Sequence, residues 1–85
     1  MIFPTIHLNG TGAPTLLAEL DKAIDGIDAA YTAVASMTVH GRDYYPQGPQ
    51  AIQVAQVEHR RRLRRLTEIK NELLEMYLKI EQEVK

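Results

Sequence analysis

The chain contains no cysteine in its 85 residues. Disulfide staples and thiolate metal sites are therefore excluded. It lacks any apolar run near the roughly 20 residues that a membrane-spanning helix needs. It lacks a basic N-terminal stretch followed by a hydrophobic block, so no secretory signal is expected and a cytoplasmic location is. It lacks a charge excess: ten Lys and Arg against eleven Asp and Glu give a net charge of -1. No global field then steers it toward membrane or nucleic acid. Reaction chemistry is scarce as well. Ser36 is the only serine, and the three histidines do not stand at the i,i+4 spacing of a helical zinc site. No nucleophile elbow and no phosphate-cradling loop is visible. Neither catalytic residues, a metal nor a cofactor is expected, and the protein is read as not an enzyme.

What is present is helical patterning. Leu16, Leu17, Leu20, Ile24, Ile27, Tyr31, Val34 and Met37 recur at steps of three and four, which predicts a first helix over about residues 12–39. Thr11 is its expected N-cap, Pro14 suits its first turn, and Gly41 its expected breaker. Gly26 falls inside it. Beyond Pro49 there is neither glycine nor proline. Ile52, Ala55, His59, Leu63, Leu66, Ile69, Leu73, Met76 or Tyr77, Ile80 and Val84 predict a second helix over about 49–84. Residues 1–10 read as an arm. Ile6 and Leu8 alternate with Thr5 and His7 in an extended pattern, and Asn9-Gly10 is a turn signal.

Two helices around a compact corner at 40–48 form an antiparallel helical hairpin, so the expected class is all-α with a short extended arm. Helix 1 at about 40 Å and helix 2 at about 52 Å leave an overhang at the end remote from the corner. The arm's Ile2, Phe3, Ile6 and Leu8 are expected near it, with Leu74 and Leu78 as contacts. One helix–helix interface encloses no core, so hairpins are expected to assemble into a helical bundle homo-oligomer. A monomer with the arm as a third layer is the competing reading.

Four places could bind something. The corner holds Arg42, Asp43, Tyr44, Tyr45 and Gln47. Arginine grips phosphate or carboxylate, tyrosine offers a stacking face, and the start of helix 2 adds partial positive charge. The alternative is a corner lock: Asp43 caps backbone groups, Arg42 pairs with Asp43 or a helix end, and the tyrosines pack beneath. His59 lies on the apolar stripe, either as a core residue or as a group pointing into a pocket. His7, Asn9 and Thr11 form a second polar set near the start of helix 1, a generic anion site or simply a turn and a cap. Finally, Arg60, Arg61, Arg62, Arg64 and Arg65 fall within six positions. Counting from the corner puts Asp28 opposite residue 59 and Asp25 opposite residue 62. A structural ion-pair network is therefore preferred over phosphate binding. No aromatic residues interleave with the arginines, which further argues against nucleic acid.

The combination of Ile6-His7-Leu8-Asn9-Gly10-Thr11, Gly41-Arg42-Asp43-Tyr44-Tyr45-Pro46-Gln47-Gly48 and Glu58-His59-x-x-Arg62-Leu63 resembles small phage and prophage proteins without an assigned activity. The resemblance covers most of the chain and transfers no residue roles. It implies a phage context, in which small helical oligomers include sponges for nucleotide immune signals. The expected function is therefore a phage accessory protein that binds an anionic, nucleotide-like ligand. The rivals are a protein-binding adaptor or inhibitor of a host system and a structural phage component.

Overall fold

A computed structural model describes residues 1–84. Its elements are helix α1 (Ala13–Ala35), two short 3₁₀ turns at Gly41–Asp43 and Tyr45–Gln47, and helix α2 (Ala51–Glu83). No strand is present among the described residues, so the alternation at Ile6 and Leu8 does not pair into a sheet. α1 and α2 pack against each other along their length, which makes the molecule a helical hairpin.

α1 starts one residue later than Thr11 would set it. Gly12 occupies the N-cap position in an extended conformation without a side-chain cap, and Pro14 lies in the first turn. The far end is also shorter than the apolar pattern implies. The Ser36 hydroxyl donates to the Thr32 carbonyl oxygen at 2.7 Å, and the Ser36 N–H donates to the same oxygen at 3.0 Å. The serine thus satisfies a terminal carbonyl, and β-branched Thr38 and Val39 resist continuing the helix. Gly41 does not break α1, because the helix has already ended at Ala35.

The connection consequently spans residues 36–50, and this resets the register. Lys70 Nζ lies 2.7 Å from Asp28 Oδ1. Asp28 is thus opposite Lys70, about three helical turns beyond the expected residue 59. The point half-way between 28 and 70 is residue 49, whereas the count from sequence assumed a pivot near 43–44. Leu16 and Leu20 accordingly share an apolar recess with Met76 and Ile80. α1 therefore reaches the C-terminal end of α2 and leaves no overhang there. The uncovered part of α2 is its first turns, beside the corner.

The best-buried residues sit at the end remote from the corner, where Ile80 is fully buried and Ala13 6% exposed; Ile24 follows at 8%. Pro4 of the arm borders the recess formed by Leu16, Leu20 and Ile80, and Phe3, Pro4 and Ile6 are half-buried. Ile2 and Leu8 stay exposed at 91% and 97%, and Leu78 at 53%, so these three are not the arm contacts expected of them.

Candidate functional site

The corner is held by its backbone. Asp43 N–H donates to the His40 carbonyl, Tyr44 N–H to Gly41, Gln47 N–H to Tyr44, Gly48 N–H to Tyr45, and Ala51 N–H to Gly48. These bonds form two consecutive 3₁₀ turns that lead into α2. Gly48, at φ 110° and ψ 162°, supplies the one backbone conformation here that side chains disfavour. Gly41 lies against Ile52, so the corner folds back on the first turn of α2.

The side chains take little part in this lock. Neither 3₁₀ turn has a side-chain cap, and Asp43 caps nothing. Arg42 forms no ion pair with Asp43 among the described residues. Arg42, Asp43 and Gln47 are exposed and Tyr45 is 74% exposed, while Tyr44 is half-buried and packs in part. The corner-lock reading thus fails for Arg42 and Asp43, and holds only partly for Tyr44. What remains is one guanidinium, one carboxylate, one amide and one open phenol ring, projected from a rigid backbone.

His59 is half-buried on the α1-facing side of α2, in a shallow recess with Met37, Val39 and Leu63. It sits eight residues past Ala51, about 12 Å along the axis, and does not line the corner. His7, Asn9 and Thr11 are exposed at the opposite end of the molecule. The His7 ring lies over Gly10, where a Cβ would come within 2.7 Å of Nε2. α1 alone separates this set from the corner by about 35 Å. Within one chain the predicted site residues therefore form three separate groups.

The arginines change most against expectation. The register puts residues 60–65 opposite the end of α1 and Met37, a stretch without acidic residues, and not opposite Asp25 and Asp28. All five are exposed, and none is in an ion pair among the described residues. The anticipated network is absent because its partners lie about three turns away. Segment charge makes the consequence plain. Residues 36–65 carry six arginines against Asp43 and Glu58, a net of +4; the rest carries four lysines against nine carboxylates, a net of -5. The overall value of -1 conceals a molecule with a basic end and an acidic end. The ingredients are legible in the sequence, as acidic residues from Glu19 to Asp28 followed by five clustered arginines, but only the hairpin turns the middle segment into one end of the molecule.

No group of three or more His, Asp or Glu among the described residues could hold a metal ion. No helix among them is long and apolar enough to cross a membrane. No protein-family model, no curated protein and no solved structure matches this chain.

Proposed function

We propose that this chain is a non-enzymatic phage or prophage accessory protein that self-associates and binds an anionic small ligand of nucleotide type at its basic end. Sequestering such a signal would counter a host defence. The observation that carries the reading is the corner: its backbone does the locking, while Arg42, Asp43, Tyr45 and Gln47 remain exposed and unused by the fold. A guanidinium suits a phosphate bidentately, and an open phenol ring suits a base. The net charge of +4 over residues 36–65 favours an anion there. Calorimetric titration with cyclic and linear nucleotides tests the proposal. Binding should weaken about tenfold or more when Arg42 becomes alanine, the loss of a charge-assisted bond. Heat signals absent for every nucleotide, with the helical circular dichroism intact, reject it.

A second reading draws support from a different observation. Ile2 and Leu8 are exposed at 91% and 97% on the arm, and Tyr45 at 74% at the opposite end, two separate exposed apolar features of the kind that protein contacts use. In this reading the chain is an adaptor or inhibitor that docks on a host protein. Tyr44→Ala with Tyr45→Ala would then abolish capture of that protein and leave oligomer size unchanged.

A further inference from the structure

One flank of the hairpin carries a charge pattern of which the fold uses only Asp28, paired with Lys70. Along α2, Arg60, Arg64, Thr67, Asn71, Leu74 and Leu78 follow in steps of three and four, so they form one stripe. Thr67, Asn71 and Leu74 line a groove together with Asp28 and Tyr31 of α1. The stripe therefore shares a flank with Asp28. Asp25 and Asp21, at steps of three and four from Asp28, lie on that flank too. The result is an acidic block toward the start of the chain, a basic block toward the corner, and between them a groove lined in part by Tyr31, 40% exposed.

We propose that this flank is the contact between two copies of the chain, arranged antiparallel about a twofold axis through the groove near Thr67. Asp28 is level with Lys70, so the levels of the remaining residues follow at equal rise. Such an axis sets Arg64 of one copy level with the Asp25–Asp28 turn of the other, and Arg60 level with the Asp21–Asp25 turn. Both blocks are matched at once, and each contact occurs twice by symmetry. A parallel pairing would instead set arginine level with arginine, and like charges repel.

Two quantities favour a second copy as the occupant. With Asp28 level with Lys70, Arg64 lies about 9 Å along the axis from Asp28 and Arg60 about 25 Å from Asp21, against a Debye length of about 8 Å at physiological salt. The blocks therefore screen each other only weakly within one chain. The chain also exposes 6469 Å², whereas a compact protein of 9.6 kDa exposes about 5,100 Å². The excess of about 1,400 Å² exceeds the ~800 Å² per partner of a standard interface.

The same axis joins the separated site residues. Ala13 lies level with the end of α2, and the axis carries that level to the region of residue 50 in the other copy. His7, Asn9 and Thr11 of one copy thus share an end of the dimer with Arg42, Tyr44, Tyr45 and Gln47 of the other. The pairing rests on the self-association proposed above and not on the ligand.

Sedimentation velocity with charge-swapped variants tests it. Arg60→Glu with Arg64→Glu should raise the dimer dissociation constant about tenfold or more, and Asp21→Arg with Asp25→Arg should do the same. All four changes together should restore it to within about threefold, since the pairs re-form with exchanged signs. Because the chain has no cysteine, Thr67→Cys should be joined to its counterpart by a short bismaleimide. Glu72→Cys, about 140° round the helix, should not. Unchanged dissociation constants, no rescue in the quadruple variant, or cross-linking at 72 instead of 67 would overturn the pairing. A chain that is monomeric at every concentration overturns both the pairing and the self-association. An intact dimer that binds no nucleotide overturns only the ligand reading.

Discussion

Gly26 and Gly48 are both flanked by helix, and their roles are opposite. At Gly26, inside α1, a Cβ would meet nothing within 4 Å. The residue costs backbone entropy and returns no contact. Gly26→Ala should raise stability by about 0.5–1 kcal/mol in urea denaturation. At Gly48 there is open space as well, but φ is 110° with ψ 162°. That region is essentially closed to residues with a Cβ, so Gly48→Ala should destabilise by about 1–3 kcal/mol. The helical weak point at Gly26 was legible in the sequence. The special conformation at Gly48 was not, because a Gly-Pro pair fits either a loop or the start of a helix. Tyr44 and Tyr45 show the same limit: adjacent and chemically identical, one is half-buried and the other 74% exposed. Only the course of the 3₁₀ turns separates them.

Among the elements, α2 was read from its periodicity to within two residues at its start and one at its end, since nothing in the chain interrupts it. α1 was read too long because the apolar pattern continues through Val34 and Met37 after the hydrogen bonding has stopped. A stripe reports which side faces a partner and not whether the backbone is still helical. Met37 and Val39 share a recess with His59 and Leu63 from outside the helix. Among the described residues one ion pair joins the two elements, Lys70–Asp28, with side chains 35% and 51% exposed. At that exposure the pair marks register more than it stabilises. Asp28→Asn should therefore cost no more than about 1 kcal/mol. Ile80 is the contrast, because it is fully buried where α1, α2 and the arm converge. Ile80→Ala should cost about 2–5 kcal/mol and loosen the arm, read as faster hydrogen exchange at residues 3–6.

The whole molecule measures 61 × 21 × 19 Å with a radius of gyration of 18.7 Å, against about 12 Å for a compact chain of this length. Among the described residues only Ala13, Ile24 and Ile80 are buried, and only Ile80 completely. A single hairpin of this shape removes too little apolar surface to offset its conformational entropy comfortably. Folding should therefore be linked to association. The expected outcome is a melting temperature that rises with protein concentration, by several degrees over a hundredfold range, in scanning calorimetry. A melting temperature independent of concentration would place all the stability within one chain. High salt should lower it further if the charged flank carries the contact.

Helix content, the absence of thiol chemistry, the hairpin class and the richness of the corner were determined by the sequence alone, because each depends on residues near one another along the chain. The register was decided only in three dimensions. It depends on how many residues the connection consumes, and that followed from a serine hydroxyl, two β-branched residues and a glycine acting together. A shift of about three turns moved the arginines away from their presumed aspartate partners. What read as an internal ion-pair network became an exposed basic end facing an acidic one, and the corner His40–Pro49 became the tip of that basic end.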